Sequence, residues 1–124
     1  MLTDFLLRLR AGQTDFEDSI TLINTLYDYT PTAFDNGLGA GTVHNAAGQN
    51  EGSCRIFAFA ALNSLSAADT LACFGRFYRV DVLQHPKGRD HGNIRNFIRH
   101  GWDGICLHGQ ALRLKAATLE AAHE

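Results

Sequence analysis

Apolar residues recur every three or four positions along most of the chain, the spacing of helices with one buried face. Thr3 stands where an N-cap belongs, and Phe5, Leu6 and Leu9 share a face before Gly12 closes a short first helix. Asp15 opens a second helix, with Glu17 and Asp18 in its first turn and Phe16, Ile20, Ile23, Leu26 and Tyr27 at helical spacing. This helix is expected to run to Tyr29, because Pro31 pushes Thr30 away from helical geometry.

The pattern then breaks. Residues 35–53 hold five glycines and four Asn or Gln in nineteen positions, which no helix tolerates. A loop of that length inside a compact domain is usually functional; the alternative is a short hairpin of Thr32–Phe34 with Thr42–His44. From Ser53 the chain turns apolar nearly all round, so helix 54–65 is expected to be the buried centre, with Phe57, Phe59 and Leu62 in the core. Ser66 caps the next helix, Asp69 completes a capping box, and Leu71, Phe74, Tyr78 and Val82 form its buried stripe. Val80–Val82 also alternates as a strand does. After a turn at Pro86–Gly88, Asp90 caps a last helix that turns Ile94, Phe97 and Ile98 inward and ends at Gly101. Ile105–Leu107 and Ala111–Leu114 are placed for a closing hairpin, and residues 116–124 for a frayed helical tail. The fold class is a predominantly helical α+β domain: about five helices around a buried central one, with one or two small β-hairpins.

Composition keeps this to a single domain over residues 1–124, 45% hydrophobic and 19% charged, enough for a core without metal or disulfide support. Three widely spaced cysteines without a Cys-x-x-Cys pair indicate reduced thiols in a reducing, cytoplasmic setting. The first ten residues are no secretory signal, because Asp4, Arg8 and Arg10 interrupt the apolar run. No membrane partner is expected, since no stretch reaches the ~20 apolar residues that a spanning helix needs.

Charge is distributed unevenly. Residues 1–75 carry three basic and eight acidic side chains, whereas residues 76–99 carry six basic and two acidic. An anionic partner would meet the second segment first. On the last helix His91, Arg95 and Arg99 fall in one line, able to hold a small anion or to form a solvated face that answers the acidic half through salt bridges. A pI near 6.3 and the lack of a nucleic-acid module argue against nucleic acid as the partner.

Several runs resemble the HopJ family of type III effectors: Tyr27–Phe34, Asn50–Phe59, Asp90-His91 with Asn93–Arg95, and Gly101–Gly104. The similarity covers roughly residues 20–115. It implies a bacterial protein secreted into a host cell, and supplies no reaction, cofactor or catalytic residue. A resident cytosolic interaction module is the alternative, since Ser19 is the single serine of the first twenty residues.

Cys54 is the sharpest candidate for chemistry. It sits in a helix's first turn after Gly52-Ser53, where amides and the helix dipole favour a thiolate, and the string is faintly similar to that of papain-type proteases. In this cysteine-dependent hydrolase or transferase His91 or His44 serves as base, Asp90 or Asn45 as orienter, and Gln49 or Asn50 as oxyanion donor. Phe57, Ala61 and Leu65 share the Cys54 face, so the packed, inert alternative is preferred. For a binder, the ligand-facing set is Asn45, Asn50, Glu51, Asp90, Arg95 and Arg99, and the partner an unknown protein or a small anion. Asn45, Gln49, Asn50 and Glu51 can equally knit the loop together. No cofactor is expected: Gly37–Gly41 and Gly48–Ser53 lack the spacing of phosphate-binding loops, and a metal at His44, Glu51 and His91 would require the fold to gather them.

Overall fold

A computed structural model describes residues 1–116; of the tail expected over 116–124, residues 117–124 lie outside the described residues. Helix α1 (Leu2–Arg10) has Met1 rather than the expected Thr3 as its N-cap and buries Phe5 and Leu9. Helix α2 (Phe16–Leu26) opens with a capping box, the Asp15 N–H donating to Asp18 Oδ2 at 2.8 Å. It stops three residues short of the expected Tyr29. Tyr27–Tyr29 instead forms strand β1, antiparallel to β5 (Leu112–Leu114), with Tyr27 opposite Leu114. Aromatic residues suit a pleated surface, and the distant partner strand supplies the hydrogen bonds.

The Gly/Asn segment does form a hairpin, slightly later along both strands than the pattern suggests. Strand β2 (Phe34–Asn36) pairs with β3 (Val43–Asn45), and β4 (Ile105–Leu107) covers its other edge, giving the order β3-β2-β4. The expected closing hairpin is therefore absent. Its two halves, β4 and β5, lie in different sheets because β2 and β1 each offer a free edge whose polar groups need pairing.

Helix α3 (Glu51–Leu62) is the core: Cys54, Ile56, Phe57, Phe59 and Ala60 are fully buried. The Phe57 ring touches those of Phe34, Phe74, Phe97 and Trp102, with centroids between 5.1 and 6.5 Å. Leu62 is a correction. It is 56% exposed, because the last turn of α3 emerges beyond the elements that cover its middle. The helix ends on Ser64 in the left-handed conformation, φ 53°, with the Leu65 N–H returning to Ala60 O at 2.9 Å.

Ser66 caps helix α4 (Ala67–Ala72), accepting from the Asp69 N–H at 3.1 Å. The Asp69 carboxylate is engaged by Arg10 Nε at 3.0 Å. The long helix expected here breaks at Gly75, φ 58°, whose bare Cα faces the Asp15 cap. Phe77–Val82 then winds as a π-helical turn rather than a strand. Helix α5 (Gly92–His100) begins after His91 and ends at Gly101, as its glycine suggests. Ile94 and Phe97 point inward, but Ile98 is 45% exposed and Asn93, Arg95 and Asn96 are buried instead. The polar side of this helix is the one that meets β2 and β3.

Candidate functional site

What ties α5 to the Gly/Asn hairpin is a cluster of amides. Asn93 Nδ2 donates to Asn45 Oδ1 at 2.9 Å, and Asn50 Nδ2 donates to the same oxygen at 2.7 Å. Asn36 Nδ2 reaches Asn93 O at 2.7 Å, and Asn96 Nδ2 bridges Asn36 O and Gly41 O, both at 2.9 Å. A buried amide costs stability unless its donors and acceptors are met, and here nearly all of them are. Asn36 Oδ1 is the exception, buried without a partner among the described residues.

This cluster brings together two helix starts far apart in sequence. The first turns of α3 (Asn50, Gly52, Ser53) and of α5 (His91, Gly92, Asn93, Ile94) line one pocket of about 490 Å³, with Phe16, Phe74 and Phe77 as its apolar wall. Asn50 and His91 are the two N-caps, and neither places a side-chain cap on its helix. The first three amides of a helix have no partner within it, so both helices present free N–H groups and positive dipole ends here.

His91 is held firmly. Its ring stacks on Phe77 at 5.1 Å and its Nε2 lies 3.0 Å from Asp81 Oδ2. An ionised carboxylate only accepts, so Nε2 carries the proton and donates to Asp81. Phe77 in turn packs on Phe16 at 5.0 Å.

The sequence-derived residues fare unequally. Asn50 and His91 line the pocket together, and Asn45 supports Asn50 from behind. Glu51 begins α3 but is not part of the pocket lining. Arg95 does not belong to a surface stripe: it is 8% exposed, donating from Nε to Asp90 O at 2.6 Å and from Nη1 to His85 O at 2.9 Å. Asp90 does not cap α5, because its carboxylate accepts from Arg95 at 2.7 Å, a contact that holds its acid well below the usual range. Arg99 is exposed beside Pro86 and Ile98, away from the pocket. Arg76 pairs with Glu17 at 2.6 Å and Asp15 at 3.2 Å, so part of the basic segment answers the acidic half of the chain.

Cys54 is wholly buried, its thiol directed at Thr32 O at 3.4 Å, and desolvation pushes its ionisation up. The three residues proposed for a metal are not gathered: His44 meets Asp35, and His91 meets Asp81. Ser53, Phe77, Asp81 and Asn93 complete the pocket or its support and escaped sequence reasoning. Asp81 was masked by the strand-like Val80–Val82 alternation. Asn93 carries no sequence signal for a buried role, because amides rarely face a core.

A family model described as HopJ type III effector protein matches residues 2–112. A crystal structure described as that of "unknown function protein VPA0580" is similar at 49% identity, over 93% of this chain and 94% of that one, with a TM-score of 0.86. No curated protein matches significantly.

Proposed function

The chain belongs to the HopJ type III effector family, and we propose from that premise that it acts by binding a compact anionic ligand, carboxylate or phosphate, in the pocket between α3 and α5. One observation carries this reading: two uncapped helix starts, one through Asn50, Gly52 and Ser53 and the other through His91, Gly92 and Asn93, line the same cavity. Unpaired amides and the positive ends of two helix dipoles favour negative charge, and the Phe16–Phe77 wall suits an apolar portion of the same ligand. His91, oriented by Asp81, adds a donor or acceptor whose direction is fixed.

Delivery into a host cell is part of the same proposal and draws its support from the family match. No helix among the described residues is long and apolar enough to cross a membrane. The alternative of a Cys54 nucleophile draws less support, since a thiol without solvent contact meets no substrate. A resident module acting through a basic stripe also loses ground, because Arg95 and Arg76 are engaged within the fold.

Nitrogen-15 NMR titration with inorganic phosphate, acetate and a simple aryl phosphate tests the reading. Saturable shifts centred on the amides of Gly52, Ser53, Gly92 and Asn93 are expected. Shifts confined to exposed lysines and arginines, or none with all three probes, overturn it.

A further inference from the structure

The open face of the three-stranded sheet carries a different chemistry. Asp35 is the middle residue of the central strand, opposite His44 on β3 and Cys106 on β4. Residues directly opposite in an antiparallel pair point to the same face, and so do residues two apart on a strand. His108, two beyond Cys106, therefore joins them, while the flanking Phe34 and Asn36 turn into the core at 0% exposure. Alternation alone thus gathers a carboxylate, a thiol and two imidazoles on one side.

The contacts agree with this placement. His44 Nδ1 lies 2.7 Å from Asp35 Oδ1, and His108 Nε2 lies 2.7 Å from Asp35 Oδ2. Donor atoms of Asp35, Cys106 and His108 all fall within 4.8 Å of one another. Tetrahedral coordination with bonds of 2.0–2.3 Å places donors about 3.3–3.8 Å apart. Opening the Asp35–His108 contact by roughly 1 Å reaches that range, the ion replacing the shared proton. The His108 side chain is 49% exposed and free to make that adjustment, while His44, 76% exposed, orients the carboxylate from its other oxygen.

We propose that Asp35, Cys106 and His108 form a surface site for a borderline divalent transition metal of the zinc class, with water in the fourth position and His44 holding the second oxygen of Asp35. Thiolate and imidazole select such an ion over calcium or magnesium, which take oxygen ligands. No Cys-x-x-Cys or His-x-x-x-His spacing announces the site, because Asp35 lies on β2 while Cys106 and His108 lie on and just beyond β4. It is separate from the pocket between α3 and α5 and stands or falls independently of it.

Cobalt(II) titration of the reduced, metal-free full chain tests the proposal. A thiolate-to-cobalt charge-transfer band and tetrahedral visible bands are expected, both displaced by stoichiometric zinc. Cys106→Ser should abolish the charge-transfer band, and His44→Ala or His108→Ala should weaken binding at least about tenfold. These side chains are exposed or half-exposed, and thermal melts would verify that each variant folds. His91→Ala, which alters the Asp81–Asp90–His91 cluster, should leave the spectrum unchanged. A cobalt spectrum unaffected by Cys106→Ser, one lost with His91→Ala, or no tetrahedral bands at all would overturn the assignment.

Discussion

Asn50 and His91 share one backbone state, φ 51°, ψ 48° and φ 52°, ψ 51°, each as the residue from which a pocket-lining helix departs. Side chains beyond glycine adopt this left-handed conformation at a cost of roughly 1–2 kcal/mol. Asn50 is compensated by its bond to Asn45, and His91 by Asp81 and the Phe77 stack. Ser64 has the same sign of φ at 53° and is exposed at the end of α3. Ser64→Gly should therefore stabilise the fold by about 0.5–1 kcal/mol. His91→Gly should give no such gain, and urea midpoints of the two variants check the difference.

Asn93→Ala should cost about 2–3 kcal/mol, since it removes three buried amide–amide hydrogen bonds to Asn36 and Asn45. Asn50→Ala, at the exposed edge of the cluster, should cost about 1 kcal/mol. Denaturant unfolding of both measures whether the amides form a unit, and equal losses would argue that they do not.

In the core, Phe59→Ala should cost about 3–5 kcal/mol, because the ring is fully buried against Phe5 and Tyr27. Leu62→Ala should cost less than about 1 kcal/mol, because its side chain already meets water. The pair of values locates the point where α3 leaves the core.

Alkylation of the reduced native protein by iodoacetamide should label Cys106 and spare Cys54 and Cys73. Cys106 is exposed, whereas the other two are buried, and desolvation raises the Cys73 thiol to about 12. Peptide mapping before and after unfolding reads this directly. Early labelling of Cys54 would restore it as a candidate nucleophile.

Stability should fall on acidification partly through Asp90. Arg95 holds this carboxyl below its ordinary value near 3.9, so its contribution is complete above that pH. It is lost as pH falls through the lower folded value, where protonation ends the ion pair. Asp90→Asn should lower stability at neutral pH and flatten the acid limb. Parallel melting curves from about pH 6 to pH 2 for the two proteins would count against the contact.

Local chemistry was legible at several helix ends, though not at Thr3 or Asp90, where Met1 and His91 are the N-caps. Asp15 and Ser66 cap their helices, Gly101 ends the last one, and the apolar run after Ser53 is the centre of the fold. Strand β1 was hidden because Tyr27 and Tyr29 continue a helical rhythm, and what makes them a strand is Leu112–Leu114 at the far end. Arg95 read as surface because periodicity sorts residues by polarity, yet its guanidinium is satisfied by carbonyls and Asp90 inside the fold. The pocket was half visible. Asn50 and His91 were picked out as polar residues beside glycines, but the amide cluster joining them depends on the register of β2 and β3.

Pairing Tyr27–Tyr29 with Leu112–Leu114 has a kinetic consequence. The strand nearest the start of the chain cannot find its partner until almost all the described residues have been made. Contacts this distant carry a large loop-closure cost and slow the search for the native state. The two N-terminal helices must therefore wait on the ribosome with an open edge at β1. A chain shortened before Leu112 would lack the last piece and stay open, however well its helices form.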